Sequence, residues 1–158
     1  TGLELAQRMV TAYYRGGNGN ATYAAIDADA LDALESAVDT FALALLANPS
    51  FYPQVGQARA NSQHFTYEEY IDLYDFTSRI LAAASAPPDV AQTAGALLSV
   101  LQQAVVLSRA QNSHLGAHGL SIFLPPRGAG GFPAEYQGAG AVWSQRTAWD
   151  DFLADFCN

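Results

Sequence analysis

Two histidines at helical spacing are the first residues in this sequence whose types and positions suggest chemistry. His114 and His118 are four apart, the spacing at which a helix presents two imidazoles to one zinc ion. Gly116 lies between them, and the glutamate that follows the first histidine of the H-E-x-x-H zinc motif is missing. We therefore predict that the two histidines mark a helix end and a turn, without a metal ion.

Three aspartates, Asp27, Asp29 and Asp32, resemble the acidic start of a calcium-binding loop. An EF-hand loop requires glycine at its sixth position and glutamate at its twelfth, where this chain has Asp32 and Val38. Aspartate is also favoured at the start of a helix, because it accepts hydrogen bonds from unpaired N–H groups and complements the helix dipole. Helix capping is therefore the predicted role.

No serine, cysteine or glycine loop forms a complete catalytic motif. The G-L-S stretch at 119–121 lacks the second glycine of G-x-S-x-G, because Phe123 occupies that position. The only cysteine, Cys157, lies next to the last residue, a poor place for a nucleophile that needs a base and a fixed oxyanion site, so packing is its predicted role. The glycines at 128–131 cannot form a Walker A loop, which requires lysine, and they predict a flexible surface loop.

Asp72 and Asp75 are the hardest pair to interpret. They are three apart and would share one face of a predicted helix. Because charged helix residues are mostly exposed, a solvated face with Arg79 paired to Asp75 is the simpler interpretation. Recognition of a cationic group in a cleft is the alternative, and the sequence leaves it open.

The elements that must position these residues are mostly helical. Apolar periodicity and capping residues predict helices from Thr1 to about Tyr14, from Asp27 to Asn48, from Thr66 to Leu81, from Pro87 to about Ser113, and from Trp149 to Phe156 with Thr147 as N-cap. Residues 51–64 are either a broken helix or a packed loop.

Two short strands are predicted, Thr22–Ile26 and Gly119–Leu124. The second carries apolar residues on both faces and ends at Pro125, as expected of a covered strand. We predict that the two strands lie in one sheet, with a helical insertion between them. The predicted fold class is α+β, mainly helical, and residues 1–158 form a single domain or a fragment of one.

Composition excludes some partners. The net charge is −8, the seven basic residues are all arginine, and no basic stripe is present to neutralise phosphates, so nucleic acid is not an expected partner. No run of 18 apolar residues predicts a membrane span. The chain begins with Thr1 and has neither an initiator methionine nor a signal sequence, so we expect it to be part of a longer protein.

Four segments resemble the clostripain family of cysteine peptidases. Residues 117–125 (A-H-G-L-S-I-F-L-P) resemble the family's G-L-S-I-Y-F-P strand, and residues 22–27 (T-Y-A-A-I-D) are similar to its T-L-S-A-I-D strand and helix cap. Residues 70–76 (Y-I-D-L-Y-D-F) resemble its aspartate-leucine helix. Residues 147–153 (T-A-W-D-D-F-L) resemble its closing T-x-W-D-x-F-L.

The resemblance implies a caspase-like α/β core with an added helical region, of which this chain is the C-terminal half. Family members are bacterial, act outside the cytoplasm and cleave after basic residues with a histidine–cysteine dyad, and some bind calcium. The dyad lies in an H-G and a D-A-C segment upstream of the matched part, and His118-Gly119 belongs to the later strand motif. No catalytic, cofactor-binding or metal-binding residue can therefore be carried onto this chain, although calcium is possible in the parent.

Two functions follow as expectations. The first is the C-terminal portion of a cysteine endopeptidase that cleaves after arginine or lysine. Its implied partners are the N-terminal catalytic half of the same protein and, in the parent, a protein or peptide substrate. The second is a non-enzymatic extracellular binding or structural module that has kept the scaffold.

Overall fold

Helices form most of the described chain, and short strands occur between them. The computed structural model describes residues 2–15, 22–111, 114–131 and 142–158. The helices in these ranges are α1 (Gly2–Arg15), α2 (Leu31–Leu46), α3 (Tyr52–Asn61), α4 (Leu73–Ala82), α5 (Pro88–Ala104), α6 (Val142–Arg146) and α7 (Trp149–Phe156). The strands are β1 (Thr22–Ile26), β2 (Tyr70–Asp72), β3 (Val105–Ala110) and β4 (Ser121–Phe123). The predicted class, α+β and mainly helical, is confirmed.

The two predicted strands lie in different sheets, so the prediction that they share one sheet is wrong. β1 pairs antiparallel with β3, with Thr22 opposite Ala110. β4 pairs antiparallel with β2, with Tyr70 opposite Phe123. The error arose because both true partners were assigned to helices: β2 has only three residues and β3 directly continues a helix.

The helix predicted from Pro87 to about Ser113 ends at Ala104. At Val105 the backbone becomes extended (φ −87°, ψ 92°) and the chain pairs with Ile26. Two adjacent valines favour the pleated conformation over a helix, and tertiary pairing with β1 overrides the apolar periodicity. The predicted end at Ser113 itself lies outside the described residues.

The remaining helix predictions are largely correct, with corrected ends. The helix predicted from Thr66 begins only at Leu73, because Tyr70–Asp72 is a strand. The ambiguous segment 51–64 contains a regular helix, α3. The predicted start of the first helix at Thr1 lies outside the described residues.

The core is built from the facing sides of α2, α4, α5 and α7. α5 packs against both α2 and α4, and α7 packs on α2. The largest fully buried side chains include three aromatic residues of α7, Trp149, Phe152 and Phe156, together with Phe41 of α2 and Phe76 of α4. The predicted closing helix is thus confirmed, although Ala148 and not Thr147 is its N-cap residue.

α7 is also fixed to the sheet formed by β2 and β4. The indole Nε1–H of Trp149 donates a 2.9 Å hydrogen bond to the carbonyl oxygen of Phe123. This bond satisfies the polar atom of a side chain that is otherwise completely buried. The last helix therefore fixes the position of β4 through a hydrogen bond to its backbone.

Candidate functional site: a buried carboxylate beside an open groove

Asp72 is the most unusual charged residue in the described chain, because its side chain is completely buried. It ends β2 and is the N-cap residue of α4, where its Oδ1 accepts a 2.9 Å hydrogen bond from the N–H of Asp75. Its Oδ2 accepts a 2.6 Å bond from the N–H of His118. The carboxylate thus joins the start of α4 to the segment that leads into β4.

Opposing influences act on the pKa of Asp72. Burial raises it above the ordinary value of 3.8, while the N–H groups of His118 and Asp75 and the nearby imidazole of His118 lower it. The net direction is upward, so desolvation outweighs the hydrogen bonds. A carboxyl group in this position is held by its donors but is costly to ionise.

The imidazole of His118 completes the arrangement. Its Nδ1 lies 3.3 Å from Oδ1 of Asp72. Its ring stacks on the ring of Tyr74, with centroids 4.7 Å apart and planes inclined by 29°. The hydroxyl oxygen of Tyr74 in turn accepts a 2.9 Å bond from Nε2 of Gln102. We call Asp72, Tyr74, Gln102 and His118 the Asp72–His118 cluster.

Gly119 explains why the chain can pass between the two sheets at this point. Its φ is +117°, and a Cβ placed on it would lie 2.7 Å from Cγ1 of Val105 and 3.1 Å from Cβ of Ala24. Only glycine tolerates both the backbone conformation and this close approach. The segment after His118 therefore rests directly on β1 and β3.

Three members of the Asp72–His118 cluster, Tyr74, Gln102 and His118, line a groove of about 690 Å³. One side of this groove is β3, Val105–Ala110, over its whole length. Leu101, Leu115 and Ala117 also line it. We call this cavity the β3 groove.

The structure separates the roles of the two aspartates that the sequence placed on one helix face. Asp72 is the cap, so the solvated-face interpretation is wrong for it. Asp75 lies inside α4 and forms the predicted ion pair, with Oδ1 3.0 Å from Nε of Arg79. Its Oδ2 accepts a 2.8 Å bond from the N–H of Gln63. Both carboxylates thus bind groups of the chain itself.

Cys157 has the packing role predicted for it, but not at a frayed end. It is fully buried in the core, so the expectation of a loose terminal position is wrong. Burial raises the pKa of its thiol, and the nearby Arg59 guanidinium lowers it by less. A thiol that is protonated and shielded from solvent is a poor nucleophile.

The other candidate residues do not assemble into a metal or nucleophile site in the described part of the chain. His114 stacks on Phe65, with ring centroids 5.8 Å apart, in a turn after β3. The described residues contain no cluster of three or more potential metal ligands. Asp27 accepts a 3.1 Å bond from the N–H of Asp29, which confirms the predicted cap. Ser121 is an exposed strand residue opposite Asp72.

Sequence reasoning singled out Asp72 and His118 separately and missed the contact between them. A capping signal was present, because aspartate followed by Leu73, Tyr74 and Asp75 resembles a helix start. Nothing local indicated that the capping carboxylate would also bind a backbone N–H 46 residues further on.

Comparison with known proteins identified no relative. No family model, no curated protein and no solved structure matches the chain. No described helix is both long and apolar enough to cross a membrane.

Proposed function

We propose that this chain is the C-terminal portion of a clostripain-like cysteine endopeptidase that cleaves after arginine or lysine. In this proposal the histidine–cysteine dyad belongs to an N-terminal half, and the present chain supports that half without reacting itself. The parent acts outside the cytoplasm of a bacterium.

The observation that carries the proposal is the packing of the four segments that resemble the family. Segment 117–125 contacts each of the other three. Residues 117–125 contribute β4, which pairs with β2 from segment 70–76. Phe123 accepts the indole hydrogen bond of Trp149 from segment 147–153. Gly119 lies against Ala24 from segment 22–27. Motifs that are scattered along a chain but packed together are typical of one inherited structural unit.

Two further features support a non-catalytic role for this part. The only cysteine is buried and has a raised pKa, whereas a catalytic thiol needs a lowered pKa and access to substrate. The net charge of −8 would attract basic peptides at long range. That attraction suits a protein that acts on arginine- or lysine-containing substrates.

The second candidate function is a non-enzymatic extracellular binding or structural module. The β3 groove favours it, because one wall of this open cavity is a complete strand with adjacent aromatic and imidazole groups. A groove of this volume falls within the usual range of ligand sites.

The deciding experiment joins this chain to the upstream region of its parent. The upstream region, this chain and the two together are assayed on fluorogenic peptides ending in arginine, lysine or aspartate. We expect thiol-sensitive turnover of the arginine and lysine peptides only when both parts are present. A Cys157→Ala chain should support the same turnover, since this thiol takes no part.

Two results would reject the proposal. Thiol-sensitive turnover by this chain alone would show that it carries its own nucleophile. A parent without an upstream H-G and D-A-C pair, or inactive on every basic peptide, would favour the binding module.

A further inference from the structure

The β3 groove follows the edge of a strand and not its face. Successive side chains of a strand point to opposite faces, yet all six residues of β3, Val105–Ala110, line this cavity. A cavity that touches both alternating sets must run along the edge. β1 occupies the other edge of β3, where Tyr23 is opposite Arg109.

The edge that borders the groove has no strand partner in the described part of the chain. The sheet consists of β1 and β3 alone, so the N–H and C=O groups on the outer edge of β3 make no ladder bonds there. Such an edge is a template on which another extended segment can add.

The charges around the groove indicate the chemistry of that segment. Among the described residues lining it, Arg109 is the only one with a permanent charge. Its guanidinium donates only to the carbonyl oxygen of the neighbouring Ser108 at 3.3 Å within the described chain. A cation without an acidic partner, in a chain of net charge −8, favours a ligand with a carboxylate opposite it.

The apolar surface of the groove adds a second requirement. Val106 is 46% exposed and Leu115 is 76% exposed, and both line the cavity. Burying them requires apolar side chains on the incoming segment. Because strand side chains alternate, the apolar residues would occupy every second position.

Pairing of β3 with the β3 of a second copy does not meet these requirements. β3 reads V-V-L-S-R-A and contains no acidic residue, so self-pairing leaves Arg109 without a carboxylate. A charge on an edge strand also discourages pairing between identical edges.

We propose that the β3 groove binds an extended segment of a different polypeptide as a third strand of the β1–β3 sheet. The segment carries alternating apolar residues and one carboxylate that faces Arg109. This inference does not depend on the peptidase assignment, because it rests only on the edge of β3 that has no strand partner among the described residues, on its charge and on its exposed apolar residues.

The test uses two synthetic octapeptides with blocked ends. Both alternate valine and threonine, and one carries a single central glutamate where the other carries lysine. Each is titrated into the isotope-labelled chain, with amide shifts followed by NMR and affinity measured by fluorescence anisotropy. We expect the glutamate peptide to shift the amides of Val105–Ala110 and His118, and those of Thr22–Ile26 much less.

Charge reversal identifies the role of Arg109. The glutamate peptide should bind Arg109→Glu at least about fivefold more weakly than the wild type, as expected for a cross-strand charge pair. The lysine peptide should show the opposite preference. Arg127→Glu is the matched control, since Arg127 is exposed but lies outside the groove, and it should bind both peptides as the wild type does.

Backbone methylation identifies strand addition. Peptides N-methylated at one alternating set of residues should lose binding, while methylation of the other set should leave it intact, because only one set faces β3. Equal effects of the two sets, no binding of the glutamate peptide at about 1 mM (a Kd weaker than the millimolar class), or unchanged affinity in Arg109→Glu would each overturn the proposal. Concentration-dependent shifts of β3 amides in the chain alone would overturn it in favour of a second copy.

Discussion

The carboxylate of Asp72 accepts a 2.6 Å hydrogen bond from the backbone N–H of His118, 46 residues further along the chain. The same carboxylate caps α4 through the N–H of Asp75. A single buried side chain thus fixes a helix start and the approach to β4. The neighbouring imidazole is held against Asp72 and Tyr74 and lines the β3 groove.

Replacing Asp72 by alanine should destabilise the fold strongly. The change removes a helix cap and leaves two N–H groups without an acceptor, so we expect a loss of about 3 kcal/mol in the free energy of unfolding. Denaturant unfolding followed by circular dichroism measures it. Asp151→Ala is the control, because Asp151 is exposed on α7, and it should unfold near the wild-type midpoint. Equal midpoints for both variants would contradict the role given to Asp72.

The raised pKa of Asp72 predicts a specific pH dependence. Because the folded pKa lies above the unfolded value near 3.8, the folded state holds this proton more tightly than the unfolded state. The contribution of Asp72 to stability is therefore largest at low pH and falls as the pH rises from about the unfolded pKa through the folded one. A His118→Gln background removes the adjacent imidazole and isolates the effect.

The measurement compares unfolding free energies in that background with and without Asp72→Asn over the acidic range. The advantage of the aspartate chain over the asparagine chain should shrink as the pH rises. An advantage that grows with pH would show that the hydrogen bonds outweigh burial, and the direction of the pKa shift would then be wrong.

Gly119→Ala should disturb the contact between the loop and the β1–β3 sheet. The added Cβ would lie 2.7 Å from Cγ1 of Val105, and the alanine would have to adopt a φ of +117°. We therefore expect a destabilisation of about 2–4 kcal/mol. Thermal unfolding provides the readout. Gly128→Ala also has a positive φ, of +72°, but open space around it, and it should lose only the backbone part, about 1–2 kcal/mol. In the Gly119→Ala/Val105→Ala double variant the steric part should be relieved, and purely additive losses would argue against the clash.

Cys157 should be inert in the native chain. Its thiol is fully buried and its pKa is raised, so iodoacetamide at neutral pH should modify it at a rate limited by unfolding. Mass spectrometry of native and urea-unfolded samples follows the reaction, and addition of denaturant should accelerate it greatly. Rapid modification of the native chain would mean that the end of α7 opens far more often than its packing indicates.

Helices α1, α2, α4, α5 and α7 were predictable in outline from the sequence because local apolar periodicity indicates them, whereas α3 was left open and α6 was not predicted. Asp27 shows this clearly, since its capping role was predicted and its side chain accepts the N–H of Asp29. β3 shows the opposite case. Its apolar residues continue the periodicity of α5, and only pairing with β1, far away in sequence, makes Val105–Ala110 a strand. Local rules do not contain that pairing.

The candidate site was predictable in its residues but not in its geometry. Asp72 and His118 both attracted attention as possible functional groups, yet each was assigned a surface or turn role. Their contact depends on β2 pairing with β4, and β2 is too short to produce a recognisable alternation. The β3 groove, in turn, exists only once β3 is known to be a strand.

In both sheets the paired strands lie far apart in the sequence, and this has a consequence for the order of folding. Thr22 pairs with Ala110, and Tyr70 pairs with Phe123. Helices α2 to α5, in contrast, form from residues that are neighbours in the sequence. Closing such long loops is slow compared with helix formation. We expect the ladders to form late, after the transition state for folding. Substitutions in β4 would then accelerate unfolding while leaving the refolding rate nearly unchanged.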